Sequence, residues 1–331
     1  MDLSQESGPA RVGEPHWSAS RRTQLRRLQE RLGQGVMGAL AWAMIGLLLA
    51  LGGTLLLRAW PILTSYPLTE LFFTSTWQPM RGRFGLAPFI VGTLAVTMVA
   101  MVLAVPTAIL SGVYLAEYMS SRVRLVFKPV TDLLAGIPPV VYGLWGVLVI
   151  VPLVRDQLAP LADRTLGRSL PIFANTNPSG YSIAAAGMVL GLMIFPIITA
   201  VTEEVLRAVP RELRESLHAL GATRWEVTKV VLLRAGLPGV IAAVVLGFSR
   251  ALGETLAVLM VVGNMRQMPS SIFDGSYTIA GLIANNYGEM MSVPLYEGAL
   301  MGAALALLLV VVSFNLGSWL FLSHTLKHGG Q

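Results

Sequence analysis

The sequence predicts an all-α membrane protein with six transmembrane helices. Of its 331 residues, 54% are hydrophobic and only 13% are charged, a composition that is hard to keep in water. The apolar residues fall into blocks of about 20 residues or more, the length that a helix needs to cross a bilayer. Helices are expected because unpaired backbone groups are costly in lipid. The blocks are residues 36–57, 86–118, 133–153, 182–201, 237–262 and 299–322.

A polar, basic tail, residues 1–35, comes before the first block. Its arginines resemble the start of a secretory signal, but the block that follows is longer than the roughly 7 to 15 residues of a signal-peptide core. No convincing small-residue cleavage site follows it either. We therefore interpret the block as an uncleaved first span, and the tail as a mobile segment or a surface helix.

The distribution of Lys and Arg predicts the orientation. The tail and the loops that lie on its side of the membrane carry more basic residues than the opposite loops, and basic loops stay in the cytoplasm. With six spans, both termini are then cytoplasmic in a multi-pass protein of the inner (plasma) membrane. We expect a permease domain over residues 36–323, a cytoplasmic loop at 202–234 and a C-terminal tail at 324–331.

Several classes of function are excluded by residue types alone. The chain has no cysteine, so disulfides, thiolate metal sites and a cysteine nucleophile are impossible. None of its three lysines follows a glycine, as the phosphate-binding loop of an ATPase requires, and no His-Glu-x-x-His metalloprotease motif occurs. We expect no enzyme activity, no cofactor and no metal site.

The loop at residues 202–234 carries strong helical signals. Pro210 suits the first turn of a helix, and Gly221 suits its C-terminal cap. Thr223 and Glu226 have the spacing of a capping box, which starts a second helix. The loop is therefore predicted to form a helix, a tight glycine turn and another helix.

The first of these two helices has an apolar stripe. Leu213, Leu217 and Leu220 fall on one face at positions i, i+4 and i+7, and charged residues take the other faces. The stripe can pack under the protein's own helical bundle or fill a groove on a partner. Both interpretations stay open from the sequence, because an exposed stripe of this size is ambiguous.

Two full charges, Arg250 and Glu254, lie inside the fifth apolar block. Each charge near the bilayer centre costs about 2.5 to 3.5 kcal/mol, so another interaction must offset the cost. The i, i+4 spacing predicts that both lie on one helix face, where they can form a structural ion pair. The alternative is that Arg250 contacts a translocated oxyanion and that Glu254 accepts a hydrogen bond from its protonated form, which would favour hydrogen phosphate over sulfate.

The loop also resembles a known motif. Glu215, Ser216 and Leu217, followed by Gly221, resemble the EAA loop of ABC importer permeases, the helix that docks into a cleft of the ATP-binding subunit. One departure is Arg234, which stands where the family pattern has a proline. The resemblance implies that the loop couples ATP hydrolysis on another subunit to transport.

Four stretches in order resemble the PstC family of phosphate ABC importer permeases. The longest begins Arg-Ala-Leu-Gly-Glu at Arg250 and runs to Asn264, and the others are residues 84–93, 135–146 and 282–289. The resemblance implies a type I importer (MetI-like) bundle, with Arg250 and Glu254 on the phosphate pathway. It also implies a PstA-like second permease subunit, an ATP-binding subunit dimer and a periplasmic phosphate-binding protein as partners.

Two other functions stay open. A permease of the same class for another oxyanion, molybdate or sulfate, would differ in which anion competes for uptake. An ion-coupled secondary carrier would use the loop only for internal packing and would not co-purify with an ATPase.

Overall fold

A computed structural model of the chain describes residues 21–175, 177–290 and 294–328, which are mostly helical. The helices of the first half are α1 (Arg21–Ser65), α2 (Leu68–Phe73), α3 (Ala87–Val113), α4 (Ser121–Gly136), α5 (Pro139–Trp145), α6 (Val151–Leu153) and α7 (Ala159–Ala162). Those of the second half are α8 (Ile183–Ala208), α9 (Arg211–Ala219), α10 (Arg224–Val230), α11 (Leu237–Gly253), α12 (Leu256–Val261), α13 (Ile279–Met290) and α14 (Pro294–His328). Two short strands, β1 (Trp77–Gln78) and β2 (Arg83–Phe84), pair antiparallel.

Six helical stretches of the described residues are long and apolar enough to cross a membrane. They are Gln29–Ser65, Ala87–Tyr118, Pro139–Gly167, Ile183–Ala208, Arg224–Gly253 and Leu295–Phe321. The prediction of an all-α protein with six spans is confirmed.

Helix α1 begins ahead of the first predicted span. Residues 21–35, which the sequence places in the tail, are helical and continuous with the span. The chain divides into two compact units, one through Thr54 and one from Leu55 onward. In the first unit, the described side chains are nearly all exposed. The predicted tail up to residue 20 lies outside the described residues.

The third span differs from its predicted bounds of 133–153. Helix α4 ends at Gly136, and α5 starts at Pro139 because a proline fits the first turn of a helix but disfavours helical backbone in the residue before it. The span then runs on to Gly167 through three π-helical turns. The charges that end the apolar run are accommodated as a neighbouring ion pair, in which Arg155 Nε lies 2.7 Å from Asp156 Oδ1.

The core of the second unit forms where α3 packs along α8. Gly187 on α8 allows the approach, since a Cβ there would overlap the side chain of Val99 on α3. Near the other end of the pair, the Thr199 hydroxyl donates to the Ala108 carbonyl at 3.3 Å. Helix α11 packs against both helices, so the core positions the segment that carries Arg250.

Candidate functional site

The fifth span is interrupted inside its charged motif. Helix α11 ends at Gly253, Glu254 is extended (φ −70°, ψ 130°), and α12 begins at Leu256. The prediction that Arg250 and Glu254 share one helix face is therefore wrong. Gly253 is a weak helix former, and beyond it the Glu254 carboxylate accepts a hydrogen bond from the Thr255 N–H at 3.1 Å.

Arg250 is exposed at the end of α11. Its guanidinium forms no ion pair or hydrogen bond with any other part of the chain that the structure describes. Gly253, one turn further on, is also exposed, and no atom lies within 4 Å of a Cβ built on it. The structural ion pair that the sequence allows is not formed, and the Arg250 side chain is not enclosed by the protein's own packing.

The sixth span holds the end of α11. The Ser249 hydroxyl donates to Asn315 Oδ1 on α14 at 3.0 Å, and the Asn315 amide donates to the Val311 carbonyl at 2.9 Å. Beside them, the rings of Phe248 and Phe314 lie 3.9 Å apart between centroids. Sequence reasoning missed Asn315, although a lone amide in an apolar block is a signal for such a contact.

Helix α12 is fixed against the start of the third span. Ala257, Val258 and Val261 are buried. A Cβ built on Gly143 of α5 would lie 2.7 Å from Met260 Sδ and 3.1 Å from the Ala257 Cα, so the two helices approach closely at this glycine. The break therefore lies between two packed helices.

The loop at residues 202–234, named the docking loop for the role that the EAA resemblance implies, forms the predicted helix, turn and helix. Gly221 has φ +83°, in the left-handed region that favours glycine, and its N–H donates to the His218 carbonyl at 2.9 Å. Helix α10 starts with both hydrogen bonds of the capping box between Thr223 and Glu226. These local predictions are confirmed. At Arg234 the chain is π-helical, and α11 begins at Leu237.

The apolar stripe of α9 is divided between the two interpretations. Leu213 and Leu217 pack against a buried cluster of the bundle, whereas Leu220 is 84% exposed. The cluster consists of Val113, Leu206, Val209, Val227, Val231 and Val240. Leu217 thus anchors the loop, and Leu220, which the EAA resemblance did not single out, is available to a partner.

The other expected coupling residues lie on the surface. Glu215 and Ser216 are exposed, and the Ser216 hydroxyl donates to the Glu212 carbonyl at 2.7 Å. Trp225 on α10 is also exposed, and the Lys229 ammonium lies 5.3 Å from its ring centroid. The docking loop therefore presents polar groups together with two large apolar side chains.

An ion pair joins the docking loop to the end of the second span. Arg214 Nη2 on α9 lies 2.7 Å from Glu117 Oε1, and both side chains are largely buried. Sequence reasoning missed this pair because its members are 97 positions apart. Among the described residues, no group of three or more His, Cys, Asp or Glu side chains is placed to hold a metal ion.

Comparison with known proteins places the chain in a family. A family model described as the binding-protein-dependent transport system inner membrane component matches residues 105–322. The chain belongs to this family. This permease is 40% identical over 269 residues to the phosphate transport system permease protein PstC of Mycobacterium leprae, covering 79% of this chain and 83% of the relative.

Further relatives are similar in sequence over most of the permease. The phosphate transport system permease protein PstC of Mesorhizobium japonicum is 35% identical over 280 residues, covering 82% of this chain and 84% of the relative. The PstC protein of Xylella fastidiosa is 36% identical over 248 residues, covering 74% of this chain and 75% of the relative. Among solved structures, an inward facing conformation of the MetNI methionine ABC transporter is similar, with a TM-score of 0.49 and 18% sequence identity. The match covers 75% of this chain and 99% of the chain in that structure.

Family membership confirms three predictions. The chain is a multi-pass membrane protein, it is a permease subunit of a binding-protein-dependent transporter, and it is not an enzyme. The resemblance to PstC permeases that the motifs indicate is confirmed as well.

Proposed function

We propose that this permease forms the transmembrane pathway of an ATP-driven importer of inorganic phosphate, with Arg250 as the residue that contacts the anion. One observation carries the proposal. Arg250 lies within an apolar run, exposed and unpaired among the described residues, at the point where the fifth span unwinds. A cation in that setting requires compensation, and a passing oxyanion supplies it.

The residues suit hydrogen phosphate. A guanidinium offers planar, paired donors that match two oxygens of a tetrahedral oxyanion. The Glu254 carboxylate, four residues on, can accept a hydrogen bond from a protonated phosphate oxygen and repels a fully ionised sulfate. The relatives support the same anion, since those compared above are named as phosphate transport permeases.

The docking loop supports coupling to a separate ATPase. It exposes two large apolar side chains, Leu220 and Trp225, together with the polar Glu215 and Ser216, and exposed aromatic and apolar groups of this kind suit a groove on a partner subunit. In this proposal the loop docks on an ATP-binding subunit dimer and Gly221 sets the turn. A PstA-like permease completes the pathway, and a periplasmic phosphate-binding protein delivers the anion. Both termini are cytoplasmic, which follows from the basic residues of the loops.

Transport then follows from alternating access. ATP-driven closure of the ATPase dimer moves the docking loop. The helical bundle then rearranges, so that Arg250 becomes accessible to phosphate from the other side of the membrane. The Arg250 side chain is held only through the backbone of α11. The access of the anion to Arg250 therefore depends on the position of this helix end. The contact between Ser249 and Asn315 provides this placement.

The test is ATP-dependent phosphate uptake by the complete importer in proteoliposomes. We expect Arg250→Ala to abolish uptake while the subunits still co-purify, and Arg250→Lys to retain part of it, since the charge remains but the paired donors are lost. Arg155→Ala, which removes an arginine of another span, is the matched control and should transport normally. Undiminished uptake by Arg250→Ala would remove the residue from the pathway.

The same assay separates the alternatives. Unlabelled phosphate, sulfate and molybdate are compared as competitors of labelled phosphate uptake. If sulfate or molybdate inhibits this uptake more strongly than unlabelled phosphate does, the chain is a permease for another oxyanion. Uptake without ATP, and without any ATPase in the purified complex, would indicate a secondary carrier instead.

A further inference from the structure

We infer that Glu117 is a positioning residue for coupling: its ion pair with Arg214 makes the docking loop and the end of the second span move as one body. The inference rests on the coupling role proposed for the loop. It adds a residue from outside the loop, at the end of a different span, to the coupling machinery.

The Glu117 carboxylate is held by two donors of one guanidinium. Arg214 Nη2 donates to Oε1 at 2.7 Å, and Nε donates to both carboxylate oxygens at 3.2 to 3.3 Å. Only 8% of the Glu117 side chain and 19% of the Arg214 side chain are exposed. A bidentate, largely buried pair fixes both distance and angle, which most surface ion pairs do not.

Arg214 also holds the start of the docking loop. Its Nη2 donates to the Leu206 carbonyl at 2.6 Å, and its Nη1 donates to the Val209 carbonyl at 2.7 Å. These carbonyls lie at the C-terminal end of α8, where backbone acceptors lack partners within the helix. One guanidinium therefore joins the ends of the second and fourth spans to α9.

The second helix of the loop reaches the same point. Arg224 Nη2 on α10 donates to the Glu117 backbone carbonyl at 2.7 Å, and its guanidinium lies 4.9 Å from the Tyr118 ring centroid. The Thr228 hydroxyl lies 3.4 Å from the Tyr118 hydroxyl. Both helices of the loop are thus attached to Glu117 and the residue that follows it.

The attached segment leads directly into the transmembrane core. Glu117 lies in a π-helical turn, Tyr114–Tyr118, that continues α3, and α3 packs along α8 and against α11. A displacement of the docking loop can therefore reach the packed spans through Glu117 as well as along the chain.

Apolar contacts alone would give a less defined link. Leu213 and Leu217 attach α9 to the bundle, but hydrophobic contacts are non-directional and tolerate sliding. The ion pair adds a fixed distance and orientation, which these hydrophobic contacts do not provide. A purely stabilising pair would change the amount of folded complex, whereas a positioning pair changes how much phosphate is moved for each ATP hydrolysed.

The experiment measures phosphate uptake, ATP hydrolysis and retained ATPase on the same reconstituted importer. We expect Glu117→Gln to keep the ATPase bound and hydrolysing while phosphate moved per ATP falls about five-fold or more, the usual lower range of coupling between sites. Arg214→Gln should act in the same way. The double variant should be no worse than the more severe single one, because the two side chains act as a unit.

Two control variants separate this role from general effects. Arg211→Gln removes an exposed arginine of the same helix, and Arg58→Gln breaks another ion pair, in which Arg58 Nη1 lies 2.8 Å from Glu297 Oε1. Both should keep the wild-type ratio of phosphate to ATP. An unchanged ratio in Glu117→Gln, or an equal loss in the two controls, would overturn the inference.

A covalent link gives an independent readout. The chain has no native cysteine, so Glu117→Cys combined with Arg214→Cys can be joined by a short bifunctional thiol reagent without a competing thiol in this chain. We expect the uncoupled double variant to regain phosphate transport on cross-linking. Transport that stays uncoupled, or that stops altogether, would contradict the inference that the two segments move as one body.

The proposed function and this inference fail differently. If wild-type importer takes up no phosphate or binds no ATPase, the proposed function is wrong. If the wild type works and Glu117→Gln transports with the wild-type ratio, only the positioning role is wrong.

Discussion

Ser249 on α11 and Asn315 on α14 are joined by a hydrogen bond of 3.0 Å, one residue before the exposed Arg250. The contact links the fifth and sixth spans just before the fifth one is interrupted. Hydrogen bonds between membrane helices contribute about 0.6 kcal/mol on average, too little to hold the fold alone but enough to select an orientation.

Replacing Asn315 should therefore affect transport more than stability. We expect Asn315→Leu to raise the phosphate concentration for half-maximal uptake several-fold, because the end of α11 that carries Arg250 is no longer held. Ser313→Ala, an exposed hydroxyl two residues away on α14, is the matched control. Kinetics of labelled phosphate uptake provide the measurement, and identical curves for both variants would contradict the positioning of α11 by Asn315.

Glu254→Gln should weaken the discrimination against sulfate. A glutamine oxygen can still accept the Thr255 N–H, so the local backbone is preserved, but the repulsion of a fully ionised anion is removed. We expect the sulfate concentration that halves phosphate uptake to fall about tenfold, equivalent to roughly 1.4 kcal/mol. Glu70→Gln, an exposed carboxylate on α2, should leave it unchanged. An unaltered sulfate effect in Glu254→Gln would place that carboxylate away from the anion.

At Gly221 the backbone sets the constraint, because φ is +83° and no atom lies within 4 Å of a built Cβ. A residue with a Cβ in this region costs about 1 to 2 kcal/mol, and asparagine tolerates it better than most. We expect ATPase retention to decrease from Gly221→Asn to Gly221→Ala, and Gly221→Asp to uncouple or release the ATPase. Co-purification measures the series; an alanine variant that retains more ATPase than the asparagine variant would contradict the turn geometry.

At Gly187 the constraint is packing. A Cβ would overlap the Val99 side chain, so Gly187→Ala forces α8 away from α3 and should lower the free energy of unfolding by about 1 to 3 kcal/mol. Gly38→Ala on α1, where nothing lies within 4 Å, should be neutral or stabilising by up to about 1 kcal/mol. Thermal unfolding in detergent compares the two variants. Equal midpoints would show that the two helices do not pack at Gly187.

The parts of the fold that depend on local chemistry could be predicted from the sequence. Apolar length alone indicates the six spans, because the bilayer imposes a minimum on each. The turn of the docking loop follows from Gly221 and from the capping pair of Thr223 and Glu226. These residues provide hydrogen bonds or backbone geometry for helix ends only a few residues away. The family motifs also point correctly to the permease family.

Features that depend on distant contacts, or on competition between local preferences, could not be predicted. The i, i+4 argument for Arg250 and Glu254 assumes a continuous helix, and the break at Gly253 removes that assumption. The role of Leu217 as an anchor and the exposure of Leu220 depend on where the bundle ends. Glu117 and Arg214 meet only because the second and fourth spans end side by side.

The interruption at residues 254–255 has a consequence for how the chain exists in a bilayer. Non-helical backbone in an apolar stretch cannot face hydrocarbon chains and is tolerated only against protein or a water-filled cavity. The open side beside Gly253 must therefore be shielded from lipid tails in the assembled transporter. If that side faced lipid instead, backbone groups without hydrogen-bond partners would be exposed to hydrocarbon, at a cost of several kcal/mol for each group.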